Sequence, residues 1–182
     1  MRKLLVVIDM QKDFVTGVLG TKEAQKIVPN VVKKIKKYQG GFGEVWFTKD
    51  THGPDYLNTQ EGKLLPVKHC IKGESGWEII PEIIEVANTE AWVFEKDKFA
   101  SVSVCKGIFD EYKNKQSEVE VELIGVCTDI CVVSNALLLK TMLPEMRITV
   151  DASCCAGVTP EKHLAALETM RSCQINVVNM EE

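Results

Sequence analysis

The stretch "VEVELIGVCTDICVVSNALLL", residues 119 to 139, decides the fold. Its first part, "VEVELI" (119–124), is a short β-branched run of strand length. Its last part, "VVSNALLL" (132–139), belongs to a strongly apolar segment of helical length, residues 129 to 143. Between them "GVCTDIC" (125–131) holds two cysteines four apart, with a threonine and an aspartate in between. Strand, tight loop and helix is the reading. Cys131 then lies about one turn into the helix, where the partial positive charge of the N-terminus favours thiolate. Thr128 can serve as N-cap. The residues alone leave other roles open. Cys131 could be a small hydrophobe in a buried helix. The pair Cys127 and Cys131 could be redox-active or metal-binding, although the spacing is not Cys-x-x-Cys and no second pair completes a zinc cluster.

Outward from this stretch the same alternation recurs. "LLVVI" (4–8), "EVWFT" (44–48), "AWVFE" (91–95), "RITVD" (147–151) and "QINVV" (174–178) read as strands. They lack clean polar–apolar alternation, as strands covered on both faces do. Helical patterns fall between them. Residues 22 to 38 set Ile27, Val28, Val31, Val32 and Ile35 on one stripe, residues 102 to 113 form a weaker pattern, and residues 160 to 172 begin with Pro160 at a favoured first-turn position. The expectation is an α/β fold: a Rossmann-like three-layer αβα sandwich on a mainly parallel sheet of about six strands. The 182 residues suit a single domain spanning 1–182. "GGFGE" (40–44) precedes a strand instead of following one, so it is no dinucleotide fingerprint.

Composition narrows the partners. The net charge of -4 gives no pull toward nucleic acid or anionic membrane. The run "KKIKK" (33–37) reads as the solvated face of a helix. No stretch is long and apolar enough to span a bilayer. The opening "MRKLLVVIDMQKDF" meets Asp9 too soon for a signal peptide. Seven cysteines without regular spacing read as reduced thiols of a cytoplasmic protein.

In parallel sheets ligands bind beyond the carboxyl ends of the strands. The residues found there are Asp9, Asp50 and His52, Lys96, "GVCTDIC" and "DASCCAG". Asp9 ends an apolar strand, where a charge is costly unless it is used or paired. Asp50 and His52 sit in "KDTH", and Glu61 and His69 follow in the long segment from Thr51 to about Trp77. Two carboxylates and two imidazoles suit zinc, manganese or iron with open water positions. A segment this long inside a compact domain is usually functional or disordered.

The set Asp9, Lys96 and Cys131 resembles that of the isochorismatase-like cysteine hydrolases, within them the nicotinamidase (pyrazinamidase) branch. The stretches that carry the resemblance are "VVIDMQKDF", "FTKDTHGPDY", "LPVKHCIKG", "EKDKFAS" and "GVCTDICVVSNALL", which span most of the chain. The resemblance implies the isochorismatase-like hydrolase fold and a catalytic triad of Asp9, Lys96 and Cys131. Lys96 is preferred over Lys98 because Phe99 stands three residues after it, as an aromatic does in the family. A cis peptide between Val126 and Cys127, an oxyanion hole of the Cys127 and Cys131 amides, and one divalent metal (Zn, Mn or Fe) on Asp50, His52, Glu61 and His69 are also implied. Phe14 matches an aromatic that stacks on the substrate ring. Leu65 stands where the family often has an aromatic, and an extra residue lies between Pro66 and His69. Phe99-Ala-Ser-Val also departs from the more usual Tyr-Ser-Ala-Phe.

The implied reaction is hydrolysis of nicotinamide, or of a related carbamoyl or ureido amide, through a Cys131 thioester. The partner is a small-molecule amide, with no nucleic acid or membrane involved and a homo-oligomer in prospect. The cysteine argues against isochorismate vinyl-ether hydrolysis, which does not use one. Two other classes compete: a thiol redox protein using Cys131 and a resolving partner, and a catalytically silent binding module. Cys154, Cys155 and Cys173 read as packing or bystanders. Cys70, beside His69, is a candidate oxidation site.

Overall fold

The computed structural model describes residues 1–41, 43–88 and 91–180. Phe42 of the "GGFGE" segment lies outside them. Six strands run in the order in which the sequence suggests them: β1 (Arg2–Ile8), β2 (Gly43–Asp50), β3 (Trp92–Lys96), β4 (Val119–Val126), β5 (Arg147–Ala156) and β6 (Asn176–Val178). Every neighbouring pair is parallel, and the sheet order is β3-β2-β1-β4-β5-β6. Seven α-helices are described: α1 (Lys12–Val15), α2 (Lys22–Gly40), α3 (Gln60–Leu64), α4 (Pro81–Ile84), α5 (Val102–Tyr112), α6 (Val133–Met142) and α7 (Pro160–Ser172). α2 packs with α4, while α5, α6 and α7 pack in succession. This is the α/β architecture expected from the alternation, and the strand order reverses between β1 and β4.

The core follows the burial that the apolar runs imply. Leu4 to Ile8 of β1 are buried on both faces, as are Val121, Leu123 and Ile124 of β4. Each such Leu, Ile or Val contributes about 1.5–3 kcal/mol. α2 buries Ala24, Ile27, Val31, Ile35 and Tyr38, and the Thr21 hydroxyl caps it by accepting the Ala24 N–H. Val28 and Val32 of the expected stripe lie at its half-buried margin. β3 departs from the expectation of strands covered on both faces. It is the sheet edge, and Trp92 and Val93 are exposed.

The segment from Thr51 to Trp77 is not structureless. It contains two 3-10 turns (Tyr56–Asn58 and Ser75–Trp77) and α3. A parallel bridge between His52 and Ile71 folds it back, with the His52 N–H donating to Cys70 O and the Lys72 N–H donating to His52 O. Among the described residues no helix is long and apolar enough to cross a membrane.

Candidate active site

The site grows from the ends of β1 and β4, the point where the strand order reverses and where ligands bind in open α/β sheets. Asp9, the first residue after β1, takes a left-handed conformation with φ 49°. Aspartate tolerates this better than most residues. The turn aims its carboxylate back across the sheet, where the Thr48 hydroxyl donates to Asp9 Oδ1 at 2.6 Å. Next to it, β4 approaches β1 so closely that a Cβ on Gly125 would lie 2.1 Å from Ile8 O. With φ 116° as well, only glycine fits there.

Beyond Gly125 the Val126–Cys127 peptide is cis, and the chain enters a π-helical turn, Thr128–Val132. The expectation of one α-helix over 129–143 is therefore corrected. α6 begins only at Val133, because Cys127 O accepts N–H bonds from both Ile130 and Val132 and widens the turn. Such single π turns recur at functional sites. Thr128 is not the cap either. Cys127 holds the N-cap position, and the Thr128 hydroxyl bonds His163 instead.

This turn delivers Cys131, which is 7 % exposed, to two charged neighbours. Lys96 Nζ lies 3.6 Å from Cys131 Sγ, 2.7 Å from Asp9 Oδ2 and 3.3 Å from Asp50 Oδ1. Lys98 is on the surface, paired with Asp97. Burial pushes the Cys131 thiol well above its ordinary pKa, Asp9 adds to the shift, and Lys96 pulls against it. The helix terminus therefore does not create a resting thiolate. Burial and the Asp9 carboxylate together favour the protonated thiol. Burial also lifts the Asp9 carboxyl above the usual carboxylate range, while Lys96 opposes the rise. Burial works against the charge on Lys96, but Asp9, Cys131 and Asp50 outweigh it and hold the ammonium. The arrangement links a thiol and a carboxylate through one fixed cation, parts from which a nucleophile can be activated.

On the far side of Asp50 lies a second cluster. Asp50 Oδ2 is 3.0 Å from His52 Nε2 and 3.5 Å from His69 Nε2, and Glu61 Oε1 is 3.8 Å from both ring nitrogens. Ligands about 2.1 Å from a tetrahedral ion stand roughly 3.4 Å apart, and Asp50, His52 and His69 are spaced to hold one, with Glu61 beside them. The His69 Nδ1–H donates to Val67 O at 2.8 Å, which leaves the Nε2 lone pair facing the cluster. Burial lifts Asp50 but the two imidazoles and Lys96 outweigh it, so its carboxylate stays ionised far below the ordinary range. Zinc, manganese or iron fits these nitrogen and oxygen donors. Phe14 stands over this cluster with its ring 5.6 Å from that of His69. Leu65 is 38 % exposed, and its carbonyl accepts the Tyr56 hydroxyl, whose ring lies beside His52 and His69.

Several residues of the site were not singled out from the sequence. Gln11 is fully buried and grips the Asp50 backbone with both ends of its amide: Nε2 donates to Asp50 O at 2.8 Å and Oε1 accepts from Asp50 N at 2.7 Å. Asp13 Oδ2 accepts the Cys70 N–H and holds the His69 segment. Asn135 donates to Cys131 O and accepts the Ser101 N–H, so it ties the turn that bears Cys131 to the chain that follows Lys96. Their only trace in the sequence is a polar residue inside an apolar context. Cys70 is fully buried, and burial raises its thiol pKa, so it is no exposed oxidation site. All seven cysteines are free, and the metal-capable cluster among the described residues contains none of them.

A family model described as the isochorismatase domain matches residues 3–182. The nicotinamidase/pyrazinamidase of Mycobacterium tuberculosis is 24% identical over 189 residues, which cover 97% of this chain and 98% of that one. The pyrazinamidase of Pyrococcus horikoshii, solved in complex with zinc, superposes with a TM-score of 0.82 at 24% identity and covers 98% of this chain and 99% of its own. The N-carbamoylsarcosine amidase of Thermoplasma acidophilum superposes with a TM-score of 0.77 at 27% identity over 100% of both chains.

Proposed function

The chain belongs to the isochorismatase domain family, and from that premise we propose that it is a cysteine-dependent amidohydrolase that converts nicotinamide and water to nicotinate and ammonia. The observation that carries this reading is the placement of Lys96 Nζ between Cys131 Sγ, at 3.6 Å, and Asp9 Oδ2, at 2.7 Å. It supports Asp9, Lys96 and Cys131 as the catalytic residues. The nicotinamidase/pyrazinamidase relative supports the substrate class.

Asp9 takes the thiol proton while Lys96 stabilises the thiolate. Sulfur attacks the amide carbon, and the Cys127 and Cys131 N–H groups receive the oxyanion, a contribution of about 3 kcal/mol per donor. Protonated Asp9 gives its proton to the departing nitrogen, which leaves as ammonia. Water, deprotonated by Asp9, cleaves the thioester, frees the acid and restores the thiol. Asp50, His52, Glu61 and His69 would hold one divalent ion, which supplies Lewis acidity for anchoring a ring nitrogen. The zinc-bound pyrazinamidase relative supports that assignment. Phe14 packs on the substrate ring and Leu65 borders it. The setting proposed for this activity is the cytoplasm and NAD salvage.

A second reading keeps the chemistry and moves the substrate to a carbamoyl or ureido amide. It is favoured by the amidase relative that matches over the whole chain and by Leu65, which stands where the family often has an aromatic. The deciding experiment is ammonia release from nicotinamide and a panel of carbamoyl and ureido amides, by metal-loaded wild type and Cys131→Ala. Nicotinamide turnover that Cys131→Ala abolishes supports the main reading. Turnover of another amide alone selects the second. No ammonia from any amide refutes both.

A further inference from the structure

His163 is the one histidine outside the metal-capable cluster. It stands in the first turn of α7, and its Nδ1 lies 2.8 Å from the Thr128 hydroxyl. Thr128 is fully buried, follows Cys127 directly, and precedes Cys131 by three residues on the same π turn. A second bond runs alongside: the Val158 N–H donates to Asp129 Oδ1 at 2.9 Å. The approach is tight, since a Cβ on Gly157 would lie 2.9 Å from Asp129 Oδ1 and from His163 Cβ. The segment after β5 and the start of α7 thus clasp the turn that carries Cys131.

We propose that His163 is a positioning residue for the amidohydrolase: through Thr128 it fixes the π turn that presents the Cys131 thiol and the Cys127 and Cys131 amides to the substrate. This rests on the activity proposed above. Packing alone does not explain the histidine. His163 also lines a cavity of about 500 Å3 shared with Leu164 and Leu167, so it is not enclosed by packing on every side. Its orientation comes from the bond to Thr128. Burial lowers its pKa and keeps it neutral, so the ring offers one N–H and one lone pair, either of which complements a hydroxyl. The π turn has no side-chain cap of its own, so this outside bond stands in for one.

The test compares His163→Ala, His163→Asn, Thr128→Val and the Ala/Val double variant. Asparagine places an amide nitrogen or oxygen near the position of Nδ1. Each is measured for kcat and KM by ammonia release, for the alkylation rate of Cys131 by iodoacetamide, and for Tm. A misplacement of about 1 Å costs about a hundredfold in rate. His163→Ala and Thr128→Val are each expected to lose ~10- to 100-fold in kcat. KM should stay within about twofold, with Cys131 alkylation slowed about tenfold. The double variant should lose no more than either single one, since both break the same bond. His163→Asn should recover to within about threefold of wild type. A lower Tm with wild-type kcat and alkylation overturns the proposal. So do multiplicative losses in the double variant, or a His163→Asn as impaired as His163→Ala. If His163→Ala does not fold, Thr128→Val and His163→Asn make the same comparison. If wild type hydrolyses no amide, the proposed activity fails, and the alkylation rates still decide whether His163 places the thiol.

Discussion

Replacing Lys96 by methionine keeps the length of the side chain and deletes its charge. The ammonium stands 2.7 Å from Asp9 Oδ2 and 3.3 Å from Asp50 Oδ1, and all three groups are buried. With an effective dielectric constant of 20, these contacts are worth about 6 and 5 kcal/mol of attraction. Two carboxylates would be left facing each other without a cation. Asp50 remains supported by the imidazoles, so Asp9 is the one that yields and takes up a proton. Asp9 is then no longer a base at pH 7. The variant is expected to fold, because proton uptake relieves the unpaired charge. Its kcat/KM at pH 7 should fall by at least about a thousandfold, in the range of losing a general base, and should climb with pH where wild type is flat. Ammonia release measured from pH 5 to 10 provides the assay, with Tm read in parallel. A Lys96→Met enzyme within tenfold of wild type at pH 7, with the same acid limb, would refute the claim that this cation holds the base ionised.

Four further outcomes concern the site and one buried ion pair beyond it. Cys131→Ala should lose at least about 10^4-fold in turnover, as removal of a nucleophile does, whereas Cys173→Ser, at an exposed position, should stay within about twofold. Plasma mass spectrometry of the purified chain should find one divalent ion per chain, removed by a strong chelator and by His69→Ala. Glu61→Gln should retain it with weaker affinity, because Glu61 is the most exposed donor and lies 3.8 Å from both imidazoles. Away from the site, Lys34 bridges Glu122 and Asp151 at 2.6 Å each, and Lys34→Met should cost about 3–5 kcal/mol in denaturant melts. Asp151 has the matching pH signature. Burial raises its carboxyl, but bonds from Lys34, Ser153 and Asn179 outweigh it and leave the folded pKa depressed. Its stabilisation is full above the unfolded value near 3.9 and is lost as pH falls through the folded one, so Asp151→Asn should flatten the acid limb of stability.

Much of the fold is legible because burial writes itself into residue type. "LLVVI" is apolar on both faces because β1 lies in the middle of the sheet, and β4 beside it buries Val121, Leu123 and Ile124 and pairs its one buried carboxylate, Glu122, with Lys34. The strand-end polar residues Asp9, Asp50 and Lys96 stand out because a charge after such a run needs a partner. Three features are not legible, for one physical reason: each depends on what the chain meets from far away in sequence. The exposure of Trp92 and Val93 follows from β3 being the sheet edge, which residue type does not announce. The π turn at Thr128–Val132 reads as ordinary helix, because the widening comes from Cys127 O accepting two N–H bonds. Thr128 carries the residue type of a cap, but His163, 35 residues on, takes its hydroxyl.

Asp50 shows why the thiol half and the metal-capable half of the site cannot be understood separately. Its two oxygens face opposite ways: Oδ1 toward Lys96 at 3.3 Å and Oδ2 toward His52 at 3.0 Å and His69 at 3.5 Å. Gln11 holds its backbone from both sides, so the carboxylate cannot swing fully to one neighbour. Lys96 is therefore shared between two carboxylates, and the share that Asp50 takes is lost to Asp9. A positive charge placed among the imidazoles would draw on Oδ2 and weaken the pull of Asp50 on the ammonium, which then favours Asp9 at 2.7 Å. On this argument, metal removal should change more than substrate affinity. It should also shift the pH at which Cys131 alkylates, in a reaction that contains no amide and no pyridine. Chelated and metal-loaded protein alkylating along the same pH curve would show that Asp50 does not transmit charge between the two halves.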